Sequence, residues 1–164
     1  MNLNLPDAAA TERLGALLAA TCPPRAVVYL HGELGAGKST LARALLRRLG
    51  VAGAIRSPTY TLIEPYRLAA GGEAVHLDLY RIAAADELEF LGLDALAASA
   101  DLWLVEWPER GKNALPIADL HVYLKQVGEA RSASLQAESG NAEAWLVRLQ
   151  ENLNLHDVSV ADSR

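Results

Sequence analysis

The sequence predicts an α/β fold with buried parallel strands, and three observations carry this prediction. An apolar run, Ala26-Val27-Val28-Tyr29-Leu30, leads through a glycine-rich loop into a segment whose leucines recur with helical spacing. A second apolar run, Leu102 to Glu106, is typical of another buried strand. Residues 119–127 and 131–137 alternate apolar and polar side chains around a short glycine-containing turn, which is typical of an antiparallel hairpin.

Composition sets the size and the class of the protein. The chain has 164 residues, 51% of them hydrophobic, which is enough for one α/β domain and too little for two. We therefore expect one domain over residues 1–154 and a polar tail over residues 155–164. The net charge of -5 argues against nonspecific nucleic-acid binding by the whole surface. Cys22 is the only cysteine, which excludes an internal disulfide and favours a reducing compartment. No run reaches the about 18 apolar residues that span a bilayer, so we expect a cytoplasmic protein without membrane contacts.

The chain begins with a predicted strand and helix. Leucines alternate with asparagines over residues 3–5, which predicts a short edge strand. Asp7 or Thr11 is placed to cap the helix that follows, and Pro23-Pro24 ends it. Helical spacing directs three leucines of this helix inward, namely Leu14, Leu17 and Leu18.

The loop after the first apolar run fills a complete phosphate-binding motif, G-x-x-x-x-G-K-[ST]. Glycines at Gly32 and Gly37 allow backbone N–H groups to turn inward around a phosphate, and the next helix adds the positive end of its dipole. Lys38 is placed to reach the β- and γ-phosphate oxygens, and the Ser39 hydroxyl is placed to ligate Mg²⁺. The alternative is a glycine-rich turn that binds nothing. The strand before the loop and the helix after it, which Gly50 ends, favour nucleotide binding.

Between the loop and the second apolar run, the pattern predicts two strands and a pair of short helices. Pro65 makes the segment 62–66 an edge or bulged strand, and Gly71-Gly72 turns the chain back. Residues 75–80 alternate, with Val75, Leu77 and Leu79 on one face and His76, Asp78 and Tyr80 on the other. Residues 83–100 are predicted to form short helices broken at Gly92, whose buried side consists of Leu88, Leu91, Leu93 and Leu96. A last helix is predicted over residues 142–153.

Three further positions are candidates for the chemistry of a nucleotide site. Glu106 ends an apolar strand, where a nucleotide hydrolase holds Mg²⁺ across from the loop hydroxyl. Trp107 follows it and lies either beside the nucleotide or in rim packing. Thr59, in the segment Ser57-Pro58-Thr59-Tyr60-Thr61, belongs either to a generic turn or to a mobile loop that senses the γ-phosphate. The face that carries His76, Asp78 and Tyr80, with Arg81 next in the chain, is either functional or an exposed polar face with a buried Asp–Arg pair.

Taken together, these blocks resemble the bacterial TsaE family, the ATPase component of tRNA threonylcarbamoyladenosine biosynthesis. The resemblance covers about residues 1 to 150 in order. It rests on the phosphate loop together with blocks that few other phosphate-loop proteins combine. These blocks are Ser57-Pro58-Thr59-Tyr60-Thr61-Leu62, Glu64-Pro65-Tyr66, His76-x-Asp78-x-Tyr80-Arg81, Glu87-Leu88-Glu89-Phe90-Leu91-Gly92 and Val105-Glu106-Trp107-Pro108-Glu109-Arg110.

The resemblance implies a P-loop NTPase-like three-layer fold, with a parallel sheet core and flanking antiparallel strands. It also implies ATP and Mg²⁺ as ligands, Lys38, Asp78, Glu106 and Thr59 as catalytic residues, and Ser39 with Glu106 at the metal. Trp107 is implied to lie against the nucleotide, and Thr11 and Arg131 to touch base or ribose. The remaining nucleotide contacts are implied along the loop, at Glu33, Leu34, Gly35, Ala36, Gly37, Lys38, Ser39 and Thr40. The family has threonine more often where this chain has Ser39, which keeps the hydroxyl.

The function that follows is a slow ATPase of tRNA modification that works with the TsaB–TsaD pair, and through that pair with tRNA. One alternative is a small-molecule kinase, which the lack of any arginine between Arg81 and Arg110 disfavours, since such enzymes close an arginine-bearing lid. Another is a nucleotide-dependent interaction module without significant turnover. A GTPase is disfavoured because no asparagine-lysine-x-aspartate sequence occurs.

Overall fold

A computed structural model describes residues 1–155 as a seven-stranded sheet with helices on both faces. The strand order is β1-β7-β6-β2-β5-β4-β3. The four central strands β6, β2, β5 and β4 are parallel, while β1, β7 and β3 run antiparallel to their neighbours. This arrangement confirms the predicted parallel core with flanking antiparallel strands. The strands are β1 (Asn2–Leu5), β2 (Ala26–His31), β3 (Ile63–Arg67), β4 (Glu73–Asp78), β5 (Leu102–Glu106), β6 (Leu120–Val127) and β7 (Ala130–Ala137).

The sheet divides the hydrophobic core into two clusters, one on each of its faces, and helices cover both clusters. Helices α1 (Ala8–Thr21), α2 (Lys38–Arg48) and α4 (Gly140–Leu155) supply the larger cluster. On the other face, β4 and β5 are covered by the short 3-10 segment Ala85–Leu91 and by α3 (Leu93–Ser99), through the buried Leu88 and Leu93. Leu91 and Leu96, predicted as buried, are only partly covered. Two further 3-10 turns follow β5, at Pro108–Arg110 and Lys112–Ala114.

The N-terminal segment is held by the pairing of β1 and by side-chain hydrogen bonds at both ends of α1. β1 is an edge strand and pairs with β7 alone. The Asp7 carboxylate caps α1 by accepting a hydrogen bond from the Ala10 amide at 2.6 Å. At the other end of α1, the Trp145 indole of α4 donates to the Leu18 carbonyl and to the Thr21 hydroxyl, so α4 is fixed across it.

Strand β4 corrects one prediction. The alternation over residues 75–80 predicted a strand through Tyr80 with one polar face, but β4 ends at Asp78 and both of its faces are buried. The strand ends there because the Asp78 carboxylate accepts a hydrogen bond from the Tyr80 amide at 3.0 Å, which turns the chain. Tyr80 therefore lies beyond the sheet, and His76 and Asp78 are core positions rather than an exposed polar face.

Other predicted elements agree with the structure. The edge position of β3, with Pro65, and the antiparallel hairpin of β6 and β7 are confirmed. The last helix is longer than predicted, and residues 156–164 of the predicted tail lie outside the described residues. Within residues 1–155, no helix combines the length and the hydropathy that crossing a membrane requires.

Candidate nucleotide-binding site

The loop between β2 and α2 adopts a conformation that only glycine tolerates at three places. Gly32, Gly35 and Gly37 have φ angles of 140°, 82° and 107°. A Cβ at Gly32 would also collide with the carbonyl of Leu124 in β6, so the loop is pressed against the sheet. The turn is closed by the amide of Ala36, which donates to the Glu33 carbonyl at 3.1 Å. The loop thus leads into the first turn of α2, with open space at the position that a Cβ of Gly35 would occupy.

Lys38 is folded over the loop it belongs to. Its Nζ donates to the carbonyls of Gly32 at 2.6 Å and Glu33 at 2.9 Å, and it lies 4.2 Å from the centre of the Trp107 ring. The residue is 4% exposed, and burial lowers the pKa of Lys38 below its ordinary value, while the carboxylates of Glu106 and Asp78 oppose that shift. A phosphate in the loop would therefore meet an ammonium group already held at the right end of the helix.

Ser39, Glu106 and His76 form a hydrogen-bonded chain beside Lys38. The Ser39 hydroxyl donates to Glu106 Oε2 at 3.0 Å, and His76 Nε2 lies 2.8 Å from Glu106 Oε1. Glu106 is 2% exposed and ends β5, as predicted. Two oxygen ligands of the kind that Mg²⁺ prefers, a hydroxyl and a carboxylate, therefore lie together at the carboxyl ends of the strands.

Asp78 connects the same end of the sheet to the segment that contains Thr59. The Thr59 hydroxyl donates to Asp78 Oδ2 at 2.8 Å, and Thr59 also shares a hydrogen bond of 2.8 Å with the Ser57 hydroxyl. Asp78 pairs directly opposite Glu106 in the register of β4 and β5. The Asp–Arg pair considered from the sequence does not form, since Arg81 instead stacks on the Tyr60 ring at 4.3 Å.

Trp107 and Tyr80 line the cleft with aromatic rings, and Arg110 lies beside both of them. The rings of Trp107 and Tyr80 have centroids 5.1 Å apart, and the Arg110 guanidinium lies 5.8 Å from the Trp107 ring. Arg110 also donates to the Ile82 carbonyl at 3.0 Å, which fixes its position. Arg110 was not among the predicted site residues, and Tyr80 was considered only as part of the face that carries His76 and Asp78. Their spacing was the available signal, because each follows a predicted acidic site residue by two to four positions.

Thr11 and Arg131 reach the loop from the other side. A Cβ at Gly37 would lie 3.3 Å from Arg131 Nε and 3.4 Å from Thr11 Cγ2, so both side chains are packed against this glycine. Arg131 Nε is buried and makes no hydrogen bond to any described residue. Thr11 is 1% exposed and lies in the first turn of α1, whereas Asp7 serves as its cap. An unsatisfied guanidinium N–H at the loop marks a place for an acceptor from a ligand.

These elements enclose a cleft of about 180 Å³. Three predicted residues do not line it: Thr11 and Ala36 are buried behind it, and Glu33 contributes its carbonyl to Lys38. The structure thus brings the other eleven predicted residues together around one cleft. Those that line it are Leu34, Gly35, Gly37, Lys38, Ser39, Thr40, Thr59, Asp78, Glu106, Trp107 and Arg131.

Comparison with known proteins gives a consistent result. The family model described as threonylcarbamoyl adenosine biosynthesis protein TsaE matches residues 5–133. A Haemophilus influenzae protein named tRNA threonylcarbamoyladenosine biosynthesis protein TsaE is 40% identical over 113 residues, which cover 69% of this chain and 71% of that protein. The Bacillus subtilis protein of the same name is 33% identical over 147 residues, or 90% and 89% of the two chains. A crystal structure of Bacillus subtilis YdiB aligns with a TM-score of 0.77 at 27% identity, covering 93% of this chain and 95% of that one.

Proposed function

Since the chain belongs to the TsaE family of tRNA threonylcarbamoyladenosine biosynthesis, we propose that it is the ATP-binding component of that modification. It binds ATP with Mg²⁺ in the cleft, hydrolyses ATP slowly on its own, and acts with the TsaB–TsaD pair on the adenosine beside the anticodon. Contact with tRNA is made through that pair. The Ser39–Glu106 hydrogen bond at 3.0 Å, beside the buried Lys38, carries this proposal.

The phosphates are held by the loop and by Lys38. Inward-turned amides of the loop and the N-terminus of α2 attract negative charge. Phosphate oxygens replace the carbonyls of Gly32 and Glu33 as acceptors for the Lys38 ammonium group, which needs only a small movement because Nζ already lies at the loop. Trp107 lies against the nucleotide, and Arg131 donates its unsatisfied Nε–H to base or ribose.

The metal site fits the donor set that is present. The Ser39 hydroxyl donates its proton to Glu106, which leaves the lone pairs of its oxygen for a cation. Glu106 accepts one hydrogen bond on each carboxylate oxygen and keeps further acceptor positions for a metal or its water. When bound, Mg²⁺ neutralises charge that develops on the phosphates.

Asp78 and Thr59 take part in hydrolysis. Asp78 lies opposite Glu106 at the strand ends and lines the cleft, so its carboxylate orients the attacking water. The Thr59 hydroxyl now donates to Asp78, and the γ-phosphate offers it a competing acceptor. Exchange of that hydrogen bond couples the nucleotide to the segment from Ser57 to Thr61, whose Tyr60 is 81% exposed and available to a partner protein.

The test is ATP hydrolysis measured with and without the TsaB–TsaD pair. We expect weak turnover by the protein alone, stimulation by the pair, and loss of both in Lys38→Ala. Loss of charge-assisted bonds worth about 1.5–3 kcal/mol should also weaken ATP binding by roughly 10- to 100-fold in that variant. Lys125→Ala, which removes an exposed lysine of β6, is the matched control and should behave as the parent. Parent-like ATP affinity and turnover in Lys38→Ala would refute the assignment of the cleft.

A further inference from the structure

His76 is a buried polar residue in the middle of the sheet. It is 0% exposed and pairs with Leu104 in the register of β4 and β5. On its strand it lies between Ala74 and Asp78, both buried, on the face that α2 covers. A histidine in such a place costs free energy of desolvation unless its nitrogens are used, so its contacts indicate why it is there.

Its contacts lead to one residue. Nε2 lies 2.8 Å from Glu106 Oε1, while Nδ1 is buried and has no hydrogen-bond partner among the described residues. An ionised carboxylate only accepts hydrogen bonds, so Nε2 carries the proton of this bond. The one hydrogen bond that His76 makes is therefore directed at Glu106.

The bond fixes the carboxylate of Glu106 from the side away from the cleft. His76 holds Oε1 from β4, and Ser39 holds Oε2 from α2 at 3.0 Å. With both oxygens held, the carboxylate cannot rotate about its last side-chain bond without breaking one of these contacts. Ser39 lines the cleft and would itself contact a metal, whereas His76 is fully buried and does not line the cleft. His76 therefore holds one of the two carboxylate oxygens in place whether or not a metal is bound.

From this geometry we infer that His76 is a positioning residue of the metal site, which sets the orientation of the Glu106 carboxylate before Mg²⁺ arrives. The inference rests on the proposed role of Glu106 as a metal ligand. A preset ligand loses less conformational freedom on binding the metal. Removal of a group that orients a metal ligand typically weakens metal affinity or activity by roughly 10- to 100-fold.

The experiment measures the Mg²⁺ concentration at half-maximal effect on nucleotide binding, read from tryptophan fluorescence, and the nucleotide affinity in EDTA. Three variants separate the hydrogen bond from the packing. His76→Gln keeps an N–H donor near the position of Nε2, His76→Asn places its donor near Nδ1, and His76→Leu fills the site without a donor. Val75→Ala is the control, since Val75 is an equally buried residue of β4 that faces the other core cluster.

We expect His76→Leu and His76→Asn to raise the Mg²⁺ midpoint by roughly 10- to 100-fold, and His76→Gln to stay close to the parent. Nucleotide affinity in EDTA should be unchanged in all three variants, and Val75→Ala should keep the parent midpoint. The inference is overturned if His76→Leu keeps the parent midpoint, or if His76→Gln is as impaired as His76→Leu. A His76→Leu variant that loses nucleotide affinity in EDTA together with melting temperature would also overturn it, because the defect would then be one of folding rather than of the metal site.

Glu106→Gln separates this inference from the proposed function. If Glu106→Gln raises the Mg²⁺ midpoint and His76→Leu does not, the inference alone fails. If Glu106→Gln leaves the midpoint unchanged, the proposed metal site fails, and with it the role of His76. Because His76 acts through Glu106, the double variant His76→Leu with Glu106→Gln should shift the Mg²⁺ midpoint no further than Glu106→Gln alone. A fully additive double variant would contradict the inference.

Discussion

Trp107 combines an unfavourable backbone with a specific side-chain position. Its φ of 57° lies in the left-handed region, which costs a residue other than glycine on the order of 1–3 kcal/mol. The same conformation brings the ring to 4.2 Å from Lys38 Nζ and beside Tyr80. Strain of this kind persists where the surrounding structure enforces it, and it is concentrated at ligand sites.

If Trp107 lies against the nucleotide, ADP or ATP should change its fluorescence, because a ligand there replaces both water and the ammonium group at the ring. Trp107→Phe should remove most of that change, although Trp103 and Trp145 remain. Trp103→Phe is the matched control, since Trp103 is 3% exposed within the core and, unlike Trp107, does not line the cleft. A fluorescence change that is undiminished in Trp107→Phe would place Trp107 away from the ligand.

The surroundings of His31 shift the pKa of its imidazole ring. Its Nε2 lies 2.8 Å from His121 Nδ1, and its ring stacks on Tyr123 with centroids 4.4 Å apart. Burial, together with repulsion from His121, lowers the pKa of His31 to about 4. The Glu109 carboxylate, 3.8 Å from Nδ1 and half exposed, is the opposite charge nearest to the ring.

This shift predicts how stability depends on pH. The unfolded chain protonates His31 near pH 6.5 and the folded chain only near pH 4. The contribution of His31 is therefore fully present above pH 6.5 and is lost as the pH falls toward 4. As the pH is lowered from 6.5 to 4, the melting temperature of the parent should fall. It should fall less steeply for His31→Phe, which keeps a ring without a titrating nitrogen. Identical slopes for the two proteins would contradict the prediction.

At the scale of elements, the sequence was most informative where one pattern decides the structure. The bounds of β5 agree with the prediction to the residue, since four consecutive apolar residues that end in a carboxylate mark both ends of a buried strand. The end of β4 was missed because it depends on a hydrogen bond from the Tyr80 amide to Asp78, and the alternation of apolar and polar residues does not reveal such a bond. The burial of His76 was missed for a related reason, since β4 is covered on both faces.

The residues of the candidate site also fall into two groups, those that a contiguous motif predicts and those that only the folded sheet brings together. Residues of the loop were predictable because the motif is contiguous and its glycines and lysine have fixed spacing. Arg131 is 94 positions from Gly37, and only the pairing of β7 into the sheet brings the two together. The resemblance to a family supplied Arg131 and Thr11, whereas spacing alone did not. The partner of His76 could not be predicted, because it requires the register between β4 and β5.

Helices α1 and α2 approach closely at Gly15. A Cβ there would lie 2.5 Å from the Leu41 carbonyl oxygen and 3.0 Å from Ala44 Cβ. Glycine is unfavourable inside a helix by about 1 kcal/mol relative to alanine. The close approach is therefore maintained against helix propensity, and it sets the position of α2 and so of the loop.

We predict that Gly15→Ala destabilises the protein although it improves helix propensity. The methyl group cannot fit without separating α1 from α2, and overpacking of this kind costs about 1–3 kcal/mol. A net loss of about 1 kcal/mol would lower the melting temperature by about 2–4 °C in a chain of this size. Gly140→Ala, the same change at a helical position with open space, is the control. A melting temperature for Gly15→Ala at or above that of the parent would show that the helices adapt.

At the scale of the whole molecule, the segment from Ser57 to Thr61 joins the cleft to the surface. Thr59 lines the cleft and donates to Asp78, while the adjacent Tyr60 projects outward and carries Arg81 on its ring. A ligand that withdraws the Thr59 hydroxyl from Asp78 thereby alters the presentation of Tyr60. The two ends of one short segment can thus respond to nucleotide and to partner.

Under the proposed function, binding to the TsaB–TsaD pair should therefore depend on the nucleotide. Coupling between two sites is typically about 1–3 kcal/mol, so affinities with ADP, ATP and a non-hydrolysable analogue should differ by roughly 5- to 150-fold. The partner must in turn change ATP affinity by the same factor. Thr59→Ala should reduce the difference and Thr59→Ser should keep it, since serine retains the hydroxyl. Equal affinity of the parent with all three nucleotides would exclude the switch and leave the nucleotide site in place.

The pairing of β1 with β7 also determines when this protein can begin to work during its synthesis. β1 is made first, yet it pairs with β7 alone, and Arg131 at the loop belongs to β7 as well. At a translation rate of about 5–20 residues per second, β1 and α1 wait on the order of 10 s for that strand. Until then a nascent chain exposes the unpaired edge of β1 and an incomplete nucleotide cleft. Chains that end before β7 therefore lack both the partner strand of β1 and the Arg131 side chain that packs against Gly37, and under the proposed function they should not retain ATP.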